Sequence, residues 1–243
     1  MAARPRDAAG GDPEAAPVRL ALPFTGRWLV QNSPARRVPS HGVDVYGERY
    51  AIDFVAVDER GRTAPARDGR TLLATESPQR FFAFGRPILA PVAGVVVAVH
   101  DGEPDHPARR SPLALVPYAL TQAARVRQGV AAVAGNSVIL QVADSVYVAL
   151  VHLQRGSIAV VPGQALHVGE ELGRCGNSGN STQPHVHLQA MDSLNLTVAR
   201  GLPIVFTDFR EWASRRSSSA VSRDVGIPAD QSVVAPAASG SPS

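Results

Sequence analysis

The sequence predicts a mainly β domain built on an antiparallel sheet. Two observations carry this. Short runs of β-branched and aromatic residues recur closely along the chain, and clusters of Gly, Pro, Asn and Ser punctuate them. The 243 residues, 44% of them hydrophobic, are enough for one sizeable domain with a true core.

The elements follow in order. Residues 1–19 are rich in Ala, Pro and Gly with mixed charge, and are predicted to be a disordered N-terminal segment. They hold no continuous apolar stretch of the kind a secretory signal needs. Strands are predicted at Arg27–Gln31, Tyr50–Val57, Val92–Val99, Ser137–Ala143, Val146–Leu153, Ser157–Val161, His185–Met191 and Leu202–Phe206. Two stretches break that rhythm. Residues 58–86 are loop-rich, polar at first, and then carry Phe81, Phe82 and Phe84. Residues 101–134 hold a Pro/Arg-rich turn followed by a predicted helix, Leu115 to Gln128. Both are expected to be insertions that wall a groove in a domain spanning 20–213. Residues 214–243 are Ser, Ala and Pro with few large apolar groups, and are predicted to be a disordered tail.

Composition narrows the function classes. The net charge is +3, and every one of the 24 basic residues is Arg. The pairs Arg36-Arg37, Arg109-Arg110 and Arg215-Arg216 read as solvated loop charges. No basic stripe with interleaved aromatics suggests a nucleic-acid partner, and no run of about 18 apolar residues suggests a transmembrane segment. Cys175 is the sole cysteine. An internal disulfide and a cysteine-zinc site are excluded, and Cys175 reads as a small buried strand residue. There is no His-Glu-x-x-His helix and no phosphate-binding loop.

The chemistry-bearing residues are histidines and one aspartate. His185 and His187 close the run Gly176-Asn-Ser-Gly-Asn-Ser-Thr-Gln-Pro-His-Val-His-Leu188. On a strand, residues i and i+2 share a face, so two imidazoles stand side by side just after a polar turn. Imidazole is both a common metal ligand and a common general acid/base. Asp53 sits in the apolar strand Tyr50-Ala-Ile-Asp-Phe-Val55, where a carboxylate is costly unless it is paired or metal-bound. His152 ends the apolar strand Val146–Leu153, and His41 precedes Asp53 by a polar loop.

At these residues the chain resembles the lysostaphin- and LytM-like zinc metallopeptidases (family M23), which cut the peptides of peptidoglycan. Ile88-Leu-Ala-Pro-Val-Ala-Gly-Val-Val96 resembles the family's opening strand, and Ala149-Leu-Val-His-Leu153 its His-Leu strand. Val161-Pro-Gly-Gln164, Val168-Gly169 and Leu172-Gly-Arg-Cys-Gly176 resemble its glycine-rich segment. The Gly176–Leu188 run resembles its signature. The resemblance covers roughly residues 20 to 208. It implies a LytM-like fold, a duplicated hybrid motif, and a zinc cofactor. It implies His41, Asp53 and His187 as zinc ligands and His152 and His185 as the catalytic pair. The first motif departs from the family's His-x-x-x-Asp spacing, because eleven residues separate His41 from Asp53. Asp44 lies nearer to His41 but in a polar, turn-like stretch. Asp53 is preferred because some members carry a similar Tyr-Ala-hydrophobic-Asp-Phe strand.

The implied activity is zinc-dependent hydrolysis of peptide bonds in peptidoglycan cross-links or stem peptides. Two His and one carboxylate leave a fourth position of a tetrahedral zinc open to water, and the metal acidifies that water and polarises the scissile carbonyl. The implied location is extracellular or in the cell envelope, although the lack of a visible signal leaves a cytoplasmic site open. The alternative is a non-catalytic relative that binds or activates an envelope partner. Such relatives commonly lose ligands, whereas all five positions are filled here.

Overall fold

The computed structural model describes residues 16–66, 74–110 and 130–237. Fourteen strands are present among them: β1 (Val18–Leu20), β2 (Trp28–Gln31), β3 (Ile52–Ala56), β4 (Pro87–Leu89), β5 (Gly94–His100), β6 (Asn136–Ala143), β7 (Val146–Leu153), β8 (Ala165–Leu166), β9 (Glu171–Arg174), β10 (Val186–Met191), β11 (Gly201–Leu202), β12 (Ile204–Trp212), β13 (Val221–Gly226) and β14 (Val233–Pro236). A short helix, α1 (Val130–Ala134), precedes β6. The mainly β expectation is borne out.

One large sheet runs β1-β12-β14-β2-β3-β10-β7-β6-β5-β8, with β11 beside β10 and β13 beside β12; β4 and β9 form a separate pair. Each described pairing is antiparallel except that of β1 with β12. The core gathers Phe24, Trp28, Phe54, Phe206 and Phe209, all fully buried. Phe24 stacks on Trp28 with ring centroids 4.4 Å apart. Phe54 meets both Phe24 and Phe206 edge-on, and the burial of these rings on the sheet's apolar face stabilises the fold.

Several expectations need correction. The C-terminal tail does not begin at 214. β13 and β14 extend the sheet to Pro236, and β14 is wedged between β12 and β2. Few large apolar groups are present there, but Val233 and Val234 are buried, and a strand between two others gains backbone partners on both sides. At the other end, β1 begins at Val18, inside the segment expected to be disordered; residues 1–15 lie outside the described residues. Ser157–Val161 is not a strand: Ala159 donates to the Leu172 carbonyl without forming a ladder. The predicted helix Leu115 to Gln128 lies outside the described residues.

The two irregular stretches are tied together. Glu76 pairs with Ala108 by a backbone bridge, and its buried carboxylate is gripped by the Arg110 guanidinium through Nε, at 2.7 Å, and Nη2. Arg110 is therefore not a solvated charge. Ala64, Phe81 and Ala108 form a small apolar cluster beneath this pair.

Candidate active site

Sheet register builds the site. β3 and β10 are antiparallel, with His187 directly opposite Asp53 across 134 residues of sequence. Directly opposed residues bring their side chains together, and His187 Nδ1 lies 2.9 Å from Asp53 Oδ1. The loop before β3 returns His41 to the other carboxylate oxygen, with its Nε2 3.2 Å from Asp53 Oδ2. Asn32, just after β2, donates to the same oxygen at 2.7 Å. The structure thus brings His41, Asp53 and His187 into one cluster, with a ligand-type atom from each within 4.8 Å of the others. Asp44 is elsewhere: it is exposed and ion-paired with Arg49.

His152 reaches the cluster through a break in strand alternation. On β7, Val148 and Leu150 pack into the main core, whereas Ala149 and Val151 face the opposite side. Regular alternation would bury His152 with Val148 and Leu150. Instead His152 has φ +64°, and the pairing with β6 slips, from Leu150 opposite Val138 to Leu153 opposite Asn136. This bulge turns His152 to the same side as Val151 and returns Leu153 to the core. A left-handed conformation is unfavourable for a side chain larger than Gly, and such strain persists where surroundings over-determine it. Here the His152 Nδ1–H donates to the Ser178 carbonyl at 2.9 Å.

His185 stands just before β10. Its Nδ1–H donates to the Gln183 carbonyl at 2.8 Å, with the Ser181 hydroxyl 3.0 Å away. The rings of His152 and His185 lie 4.7 Å apart, and those of His41 and His187 4.8 Å. Both His152 and His185 therefore tie Nδ1 to a main-chain carbonyl, which leaves Nε2 as the unprotonated nitrogen.

The signature loop that supplies Ser178, Ser181 and Gln183 is held from outside. Arg109 N donates to the Thr182 carbonyl at 2.7 Å, Asn177 N to Asp105 at 2.6 Å, and Asn180 N to the Val133 carbonyl at 2.8 Å. Gly179 has φ +68°, and a Cβ there would lie 2.4 Å from the Gly135 nitrogen, so this contact requires glycine. Residues 101–110 thus brace the loop. Val133 and Ala134 line the pocket, and no described residue of 58–86 does.

The charges follow from burial and neighbours. Burial alone would raise the Asp53 carboxyl, but His41, His185 and His187 hold it well below the usual carboxylate range. Burial alone would lower the His187 imidazole; Asp53 overrides that and raises it to about 9. Burial pushes His152 well below the usual histidine range, and its neighbours His185 and His187 push it further. Burial also lowers His185, partly offset by Asp53. Both are therefore neutral near pH 7 and able to accept a proton. Cys175 is buried near the site, and burial followed by the Asp105 charge raises its thiol.

The cluster lies at one end of a pocket of about 680 Å³. Beyond the cluster the lining is mixed: apolar Val99, Ile139, Ala149, Val151 and Leu196 share it with polar Glu48, His100, Ser137, Asn180 and Thr182. Sequence reasoning missed Asn32 and Gln189. Gln189 is buried, and its Oε1 lies 3.0 Å from His187 Nε2. The two-residue period that pairs His185 with His187 reaches Gln189 as well, so that signal was present. Asn32 has no such signal: its left-handed φ of +52° at the strand end is set by the fold.

A zinc site of the implied type needs ligand atoms about 3.3 Å apart around a tetrahedral ion with bonds near 2.0–2.1 Å. The two-His, one-carboxylate donor set fits that requirement in kind, with the histidines 3.2 Å and 2.9 Å from different oxygens of Asp53 and the three ligand atoms within 4.8 Å of one another.

Residues 118–197 match the family model for peptidase family M23, so the family resemblance is borne out over this segment. The segment includes His152, His185 and His187, while His41 and Asp53 precede it. The curated proteins give no match. Among solved structures, the chain is similar to the catalytic domain of the prophage-encoded M23 protein EnpA from Enterococcus faecalis (19% identity, 75% of this chain and 93% of that one, TM-score 0.42). It is also similar to the catalytic domain of the antimicrobial peptidase lysostaphin from Staphylococcus simulans (16%, 73% and 88%, 0.37) and to a zinc-containing peptidase from Vibrio cholerae (17%, 58% and 46%, 0.31). Among the described residues, no helix is long and apolar enough to cross a membrane.

Proposed function

We propose that the chain is a zinc-dependent metalloendopeptidase that hydrolyses peptide bonds in bacterial peptidoglycan, in its cross-links or stem peptides, at the cell envelope or outside the cell. The observation that carries this reading is the convergence of five residues from four segments. A buried carboxylate, Asp53, lies between His41 and His187, and two imidazoles with Nδ1 tied to main-chain carbonyls stand beside them, the Nε2 of His185 being 3.7 Å from Asp53 Oδ1. The peptidoglycan substrate rests on the family resemblance.

In this reading His41 Nε2, an Asp53 oxygen and His187 Nδ1 hold the metal. Zinc bound there would polarise the scissile carbonyl and acidify a water. His152 and His185 supply the rest. Either Nε2 can take the proton of the attacking water, and the protonated ring then stabilises the charge that develops on the carbonyl oxygen. Their Nδ1–H donations to Ser178 and Gln183 fix tautomer and ring orientation before the substrate arrives.

The test is metal content of the purified protein together with mass analysis of fragments released from purified peptidoglycan. One zinc per chain is expected. Alanine at His41, Asp53 or His187 should remove it, whereas His185→Ala should keep zinc and lose hydrolysis. Zinc retained in all three folded ligand variants sinks the ligand set. A zinc-loaded wild type that releases no fragment favours the alternative, a non-catalytic M23-like binding or activator protein of the envelope.

A further inference from the structure

β10 carries a further polar side chain on the pocket face, and its hydrogen bonds have a fixed sense. The Gln189 Nε2 donates to the Tyr46 carbonyl at 2.7 Å, and its Oε1 lies 3.0 Å from His187 Nε2. A main-chain carbonyl only accepts, so the amide nitrogen must face Tyr46 and the amide oxygen must face His187. That oxygen also only accepts, so the His187 Nε2 carries a hydrogen and donates it. The other ring nitrogen, Nδ1, is the one that faces Asp53.

The Tyr46 carbonyl is delivered by a tight turn. Tyr46 and Gly47 are both left-handed, at φ +55° and +79°. A Cβ on Gly47 would lie 2.9 Å from the Met191 Cβ and 3.2 Å from Gln189 Nε2, so the turn is pressed against β10. The long spacing between His41 and Asp53 is therefore a loop docked on the strand that carries His187.

We infer that Gln189 is a positioning residue of the metal site: its amide oxygen holds His187 in the Nε2–H tautomer, which aims the Nδ1 lone pair at the cation. This rests on the zinc reading above. The physical need is general. A ligating imidazole must present a bare nitrogen to the ion, and an acceptor on its other nitrogen secures both tautomer and ring angle. Without the Gln189 oxygen, His187 loses the group that keeps its hydrogen on Nε2, and the ring is free to rotate.

Two variants separate the contacts. Gln189→Met removes both hydrogen bonds at similar volume. Gln189→Glu keeps an acceptor toward His187 and loses the donor to Tyr46. Zinc affinity is measured by competition with a chelator, the His187 tautomer by ¹⁵N ring shifts of the zinc-loaded protein, and the folding of each metal-free variant by its melting temperature. The wild type is expected to show the Nε2–H tautomer. Gln189→Met should bind zinc about 10- to 100-fold more weakly, the usual cost of losing such a partner, and Gln189→Glu should stay close to the wild type. An Nδ1–H tautomer in the zinc-loaded wild type, or a folded Gln189→Met with wild-type affinity, overturns the inference and leaves the zinc reading standing. Equal weakening in both variants also overturns it, because the Tyr46 anchor would then be the part that matters. A wild type that binds no zinc removes both readings together. If Gln189→Met does not fold, the wild-type tautomer and the Gln189→Glu affinity still decide.

Discussion

Replacing His152 by Gly and, separately, by Ala tests the bulge and the proton-transfer role in one pair of proteins. In an ordinary strand Gly is less stable than Ala by about 0.5–1 kcal/mol, because it has more backbone freedom to lose. At φ +64° the order should invert. A Cβ in the left-handed region costs roughly 1–2 kcal/mol, and the unfolded-state entropy that favours Ala offsets about 0.4–1 kcal/mol of this. His152→Gly should therefore be the more stable of the two by about 1 kcal/mol, or about 2–4 °C in melting temperature for a domain of this size. Both variants lose the hydrogen bond to Ser178, so its buried carbonyl costs each of them about 1–3 kcal/mol against the wild type. Neither should lose zinc, since His152 is outside the ligand cluster. Both should lose about 10²- to 10⁴-fold in turnover, the usual contribution of general acid–base help. Calorimetry of the metal-free proteins and fragment release by the zinc-loaded ones supply the numbers. An Ala variant as stable as the Gly variant would refute the strained bulge, and full turnover in either would remove His152 from the reaction.

Ending the chain at Ala213 should prevent stable folding. It strips out buried Val233 and Val234, each worth about 1.5–3 kcal/mol, and bares the edges of β2 and β12; a cooperative melt near that of the full chain would show that β14 is dispensable. Arg110→Met should destabilise by about 3 kcal/mol, because among the described residues it leaves the buried Glu76 carboxylate with Arg80, at 3.6 Å, as its remaining cation. Chemical denaturation measures this, and adding Glu76→Gln should restore part of the loss. Cys175 should resist a thiol-specific reagent in the native protein and react on unfolding, because burial raises its thiol and leaves almost no thiolate; rapid native labelling would contradict its buried position.

Much of the strand pattern was legible because alternation and turn chemistry are local. Val146–Leu153 was read at the bounds observed, and His185–Met191 within one residue. The C-terminal strands were not legible. Val221-Ser-Arg-Asp-Val-Gly226 is polar and exposed, and what makes it a strand is the partner β12 rather than a buried face of its own. Arg110 read as a surface charge because nothing near it in sequence announces Glu76, 34 residues away.

The sequence by itself determined the chemical inventory: two histidines two residues apart after a polar turn, a third ending an apolar strand, and a carboxylate within another. Those are properties of short windows, where residue type and period speak directly. The tertiary structure decided which atoms meet. The β3–β10 register sets Asp53 against His187, and a slip of one residue would send them to opposite faces. The bulge in β7 rescues His152 from the core, and the Tyr46–Gly47 turn lays the His41 loop on Gln189. Such choices depend on pairing energies summed over strands distant in sequence, and on strain that only the assembled sheet can hold in place.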